Sequence, residues 1–142
     1  MTAAALIREE GRLAKIGDRV ELVRVFTQQD FDRFAKLSGD DNPIHVDPAF
    51  AATTHFGRTV SHGMLLYAVL AALVRRGGLA GKAVGQKLMF PNPTFTGEPV
   101  RFSATVVAVE GEAIVLAERV ERLGDGAVVC EGEARYARGG VA

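Results

Sequence analysis

The run Met64–Val74 carries no charged residue on any face of the helix that its flanks define. A helix that is apolar all round, in a chain whose charged fraction of 24% is ordinary for a soluble protein, must be enclosed by other structure. It falls far short of the ~20 residues that a membrane span requires. The flanks predict a helix from His62 to about Arg76, with Ser61 as its N-cap and Gly77-Gly78 as its stop. Arg75 and Arg76 suit the negative end of its dipole. The fold is therefore constrained from within: whatever else forms has to wrap this helix.

Beyond the helix the chain is all strand and turn. Val84 to Phe95 is a candidate strand, interrupted by Pro91 and Pro93 and so suited to an edge. Pro99 to Val109 places Val100, Phe102, Ala104, Val106 and Ala108 on one face. Glu110-Gly111-Glu112 turns the chain into Ala113–Leu123, and Gly124-Asp125-Gly126 turns it again. Val128, Cys130, Ala134 and Tyr136 then point inward on a last strand. Before the helix, Val20–Phe26 reads as a strand. Thr27 and Asp30 match a capping box for a short helix whose inner face holds Phe31, Phe34, Ala35 and Ser38. One strand, one enclosed helix and about four antiparallel strands make an α+β fold, a curved antiparallel sheet around one long central helix.

With 142 residues the chain suits one domain, expected over residues 17–138 behind an N-terminal arm of residues 1–16. Its formal net charge is zero, which argues against nucleic acid as a partner. No apolar run is long enough for a membrane span or, at the N-terminus, for a signal peptide. A single cysteine, Cys130, rules out an intrachain disulfide and fits a reducing cytoplasm. Its place in an alternating apolar run makes it a buried hydrophobe sooner than a reactive thiol. An unpaired sheet edge needs a cover, and a second copy is the simplest, so a homodimer is expected.

Chemistry concentrates between Lys36 and Gly63. Gly39 supplies a left-handed helix stop, and Pro43 pushes Asn42 toward extended geometry. The loop therefore turns between Asp40 and His45. Asp47-Pro48 is a cap with proline at the first helical position, starting a brief helix through Ala52. Alone, an aspartate after a helix stop is more often a turn residue, and a lone histidine is more often structural. Asn42 suits an Asx-type hydrogen bond that stabilises the loop, and Asp41 a solvated position. His62 suits a structural role beside the helix cap better than a substrate contact. His45, Asp47, His55 and His62 are close in sequence, but their spacings match no familiar zinc pattern, so no metal is expected.

Leu37-Ser38-Gly39-Asp40-Asp41-Asn42-Pro43-Ile44-His45, with Asp47-Pro48 and Ala51 beyond, resembles the signature of the MaoC-like, or hydratase 2, family. Ser61-His62-Gly63-Met64-Leu65 and the run Phe90, Pro93, Gly97-Glu98, Val100 are similar to the same family. The likeness extends from about Gly17 to Tyr136 and is nearest to the single-domain (R)-specific enoyl-CoA hydratases that link β-oxidation to polyhydroxyalkanoate synthesis. It implies the hotdog fold, in agreement with the enclosed-helix argument. It also implies reversible hydration of trans-2-enoyl-CoA to (R)-3-hydroxyacyl-CoA without a cofactor.

That reaction needs a base beside a poor nucleophile, water. Asp40 can hold and deprotonate a water, and His45 can hold the same water and share the proton; the resemblance assigns both catalytic roles. It assigns the Gly63 N–H to the thioester carbonyl, at a helix N-terminus where orphan donors and partial positive charge favour an oxyanion. Asn42 and Pro43 would support the loop. By resemblance, Ala71 and Val74 would shape the far end of the acyl pocket. Lys87 or Arg58 could meet the phosphates of CoA. Three rivals stand: a dehydratase for acyl-carrier-protein thioesters, a hotdog thioesterase and a non-catalytic acyl-thioester-binding module.

Overall fold

The structure is a computed structural model and describes residues 14–79 and 81–137. Five strands form one antiparallel sheet: β1 (Arg19–Val25), β2 (Ala83–Met89), β3 (Pro99–Glu110), β4 (Ala113–Arg122) and β5 (Val128–Ala137). Their spatial order is β1-β3-β4-β5-β2. Tight turns join β3, β4 and β5 into a meander, while β1 and β2 form the two edges. Four helices precede β2: α1 (Gln28–Ser38), α2 (Pro43–Val46), α3 (Pro48–Ala51) and the long α4 (Gly63–Arg76).

The expected helix is present and lies against the sheet. Leu66, Val69, Leu70, Leu73 and Val74 are buried, spaced as one face of a 3.6-residue period. They meet Val20 and Leu22 of β1, Val100, Phe102, Ala104 and Val106 of β3, and Leu116 and Val120 of β4 in one core. Burying a side chain of this size contributes roughly 1.5–3 kcal/mol. The enclosure is incomplete within one chain. Met64 is 57% exposed, and Ala68 and Ala72 are exposed on the same stripe.

Several local expectations change at the level of pairing. Ser61 is not the cap of α4: its hydroxyl donates to the His62 carbonyl, and His62 occupies the cap position without a side-chain bond. The edge strand β2 ends at Met89, before Pro91, because proline cannot donate to the ladder. In β3 an irregularity between Val106 and Ala108 shifts the alternation. Val109, opposite Ile114, packs against the core. Ala108 pairs with Val115, on the face opposite Ile114 and Leu116, and so leaves the inner face.

The expected arm falls mainly on residues 1–13, outside the described residues. Ala14 is fully buried in the core, so packing has begun by that position. Among the described residues no helix is long and apolar enough to cross a membrane.

Candidate active site

Local signals fix the loop that carries Asp40 and His45. The Thr27 hydroxyl accepts from the Asp30 N–H, and the Asp30 carboxylate accepts from the Thr27 N–H, closing the capping box that starts α1. Gly39 ends α1 at φ 81°, a region costly for residues with a Cβ. The Asn42 side chain accepts from the Ile44 N–H at 3.1 Å, the expected Asx bond. It thereby caps α2, with Pro43 in its first turn. The Asp47 carboxylate accepts from Ala49 and Phe50 to start α3. Asp40 is thus delivered by the end of one helix and His45 by the last turn of the next.

The two meet. His45 Nε2 lies 3.7 Å from Asp40 Oδ2, with the His45 side chain 14% and the Asp40 side chain 55% exposed. His45 Nδ1 lies 2.8 Å from the Val60 carbonyl. A carbonyl only accepts, so Nδ1 bears the proton and Nε2 presents a lone pair beside the carboxylate. The gap is too long for a direct hydrogen bond and suits one water held by both groups.

Two further side chains hold this arrangement, Gln28 and the His62 expected in a structural role beside the helix cap. Gln28 donates to the His45 carbonyl at 2.8 Å and accepts from the buried Thr59 hydroxyl at 2.7 Å. No local signal marks it, because its partners lie far along the chain. His62 is 2% exposed and its Nε2 lies 2.8 Å from the Asp40 carbonyl. Its ring stacks on His45 at 3.8 Å between centroids and 23° between planes. Phe34 meets it edge-on at 4.9 Å. Burial lowers the His62 pKa below the usual imidazole value; the bond to the Asp40 backbone opposes this, and His45 adds to it.

Gly63 follows His62 directly and opens α4, so its N–H has no partner within the helix. It borders a cavity of about 440 Å³ lined in part by His55, Phe56, Ser61, Leu66, Phe90 and Thr94. A Cβ on Gly63 would lie 2.9 Å from Phe90 Cζ. Ala71 and Val74 do not line this cavity: Val74 is wholly buried in the core and Ala71 is half-buried farther along α4. Of the two cations named for CoA, Arg58 is committed elsewhere, to Glu98 at 3.2 Å, to the Thr96 carbonyl and over the Phe95 ring. Lys87 lies on a larger concavity of about 910 Å³ with Arg19, Arg119 and Glu133. Asp40, His45 and Gly63 do not border that concavity, so size does not mark the site.

Asp40, His45 and His62 offer ligand atoms within 4.8 Å of one another, a spacing at which a cation could be sought. The two rings are stacked, and carbonyls occupy one nitrogen of each. The set suits hydrogen bonding better than tetrahedral coordination. Cys130 is buried, and its thiol is pushed up to about 12 by desolvation, helped by Glu118 and Glu131, so it offers no thiolate.

Comparison with known proteins gives the arrangement its setting. The chain is 38% identical over 125 residues to an (R)-specific enoyl-CoA hydratase of Aeromonas caviae, covering 84% of this chain and 92% of that one. It is 34% identical over 136 residues to an (R)-specific enoyl-CoA hydratase of Rhodospirillum rubrum, covering 94% of each. The solved structure of an (R)-hydratase from A. caviae involved in PHA biosynthesis superposes with a TM-score of 0.81 at 36% identity, over 86% of this chain and 95% of that one. The family model for the MaoC like domain matches residues 13–125. This hotdog-fold chain belongs to the MaoC-like domain family.

Proposed function

We propose that the protein is an (R)-specific enoyl-CoA hydratase, a hydro-lyase that adds water reversibly to trans-2-enoyl-CoA to give (R)-3-hydroxyacyl-CoA. The observation that carries this reading is the Asp40–His45 pair, with the His45 proton fixed on Nδ1 and its Nε2 lone pair 3.7 Å from the carboxylate. A water held there gives up a proton as its oxygen attacks the β-carbon, and general-base help of this kind contributes about 10²–10⁴-fold. The negative charge that develops on the thioester oxygen is taken by the Gly63 N–H, reinforced by the α4 dipole. A proton delivered to the α-carbon then completes the addition. Asn42 and Pro43 hold the loop in register. Ala71 and Val74, farther along α4 and outside the lining of the cavity beside Gly63, would limit how far an acyl chain could extend. The reaction moves protons and one water, so it requires no cofactor.

A homodimer supports this site. β2 is an edge strand exposed at every position but Leu88, and the Met64, Ala68 and Ala72 stripe of α4 is uncovered in one chain. A second copy placed edge to edge would cover both. The buried, protonated thiol of Cys130 is compatible with a reducing cytoplasm.

Purified protein offered crotonyl-CoA should discharge the conjugated enoyl thioester and yield the (R)-3-hydroxy product. Release of free CoA without hydration would instead indicate a thioesterase. Turnover of a carrier-protein thioester but not of the CoA ester would indicate the dehydratase. Tight binding without turnover would indicate a binding module.

A further inference from the structure

His62 is the residue through which the three parts of the site are joined. It precedes Gly63 at the cap of α4, lies 2.8 Å from the Asp40 carbonyl and covers the face of the His45 ring. We infer that His62 is a positioning residue for the catalytic pair: its Nε2–H fixes the Asp40 backbone while its ring face holds the His45 imidazole in plane. This rests on the hydratase reading of Asp40 and His45.

The hydrogen bonds around the ring support more than filler. The Asp40 carbonyl can only accept, so His62 carries its proton on Nε2 and leaves Nδ1 as a bare acceptor. That Nδ1 is buried without a partner among the described residues. An unsatisfied buried acceptor is unfavourable, and an apolar side chain of similar shape would avoid it. The imidazole is explained by what it does for its neighbours. The Phe34 edge contact and burial restrain the ring, and a proton added to it would oppose the positive charge that His45 takes on with the proton of the water. The groups facing it are the Asp40 carboxylate and carbonyl and the His45 ring. A neutral ring therefore holds one proton on a carbonyl and takes no part in the proton transfer itself.

The two functions can be separated by substitution. H62F keeps a ring against His45 and loses the donor to Asp40. H62Q keeps an Nε2 donor and loses the ring. Both are expected to lower kcat about 10–100-fold, the cost of small misplacement of reacting groups, with KM within about threefold of wild type. The acid limb of kcat/KM should persist in H62F, because proton transfer stays with Asp40 and His45. The chain has three histidines, so their ring nitrogens can be followed in long-range proton–nitrogen NMR spectra. Wild type and H62Q should both show the Nδ1–H tautomer of His45 that the Val60 carbonyl fixes, with its ring signals sharp in wild type and broadened in H62Q.

A kcat within about twofold of wild type in both variants would overturn the inference. So would a rise in KM alone, or loss of the acid limb in H62F, which would make His62 itself the proton carrier. If H62F does not fold, Phe34→Leu loosens the same ring from behind and should lower kcat roughly two- to fivefold at unchanged KM; no change would count against the inference. Wild-type protein inactive on every enoyl thioester would defeat the hydratase reading, whereas His45 ring signals as sharp in H62Q as in wild type would defeat the positioning role.

Discussion

Asp40 and His45 differ in their surroundings. Asp40 stays more than half exposed, open to water, whereas His45 is largely covered and held by a carbonyl on one nitrogen and a ring on its face. Asp40→Asn keeps the loop's shape and removes the proposed base. We expect kcat for crotonyl-CoA to fall about 10²–10⁴-fold with an unchanged melting temperature. Gly63 does not have a positive φ, so its backbone accepts alanine. The added methyl would press on the Phe90 ring, which is 44% exposed and able to yield. Gly63→Ala should therefore fold normally and lose roughly tenfold or more in kcat as the thioester is held off the N–H. Steady-state kinetics beside a thermal melt checks both variants. Glu118, away from the site, is also governed by its surroundings. It faces inward on β4, 2% exposed, with Gln86 donating to Oε1 and Oε2 unpartnered. Burial raises its carboxyl above the usual range, against the opposing pull of the Gln86 bond. The folded protein thus holds that proton more tightly than the unfolded chain. Stability is full below the unfolded carboxyl value and falls as pH rises through the raised folded value. Glu118→Gln keeps an acceptor for Gln86 and removes the charge. Its melting temperature should exceed that of wild type at about pH 8, with the advantage gone by about pH 4.

The elements were legible wherever a signal acts within a few residues. Thr27 with Asp30, Gly39, Asn42 before Pro43, and Asp47 before Pro48 all act as their types suggest, because caps and turns are local hydrogen-bond chemistry. Gly39→Ala tests one of them: a Cβ at φ 81° costs about 1–2 kcal/mol. Because Asp40 follows directly, both the melting temperature and kcat should fall, as measured on the same sample. Features that were not legible depend on partners far along the chain. The irregularity that brings Val109 inward, the end of β2 at Met89, and the Gln28 and His62 contacts are set by pairing and packing.

Across the whole molecule, an all-round apolar helix and a sheet with two edges demand more cover than one chain supplies. The Met64–Ala72 stripe and β2 stay exposed, and there a second copy would sit. Ala68→Glu separates the cases. In a monomer the new carboxylate would stand in water and cost little, but in a dimer it would be a buried, unpaired charge. Sedimentation at fixed concentration should show dimer for wild type and a shift to monomer for the variant, with loss of activity. The proposed mechanism requires one water, held between Asp40 and His45, to supply both the hydroxyl and the proton from a single face of the substrate. Hydration of crotonyl-CoA in heavy water, with NMR of the product, tests this directly. Deuterium is expected at C2 on the same face as the hydroxyl at C3, in the (R) configuration; addition from opposite faces, or an (S) product, would contradict it.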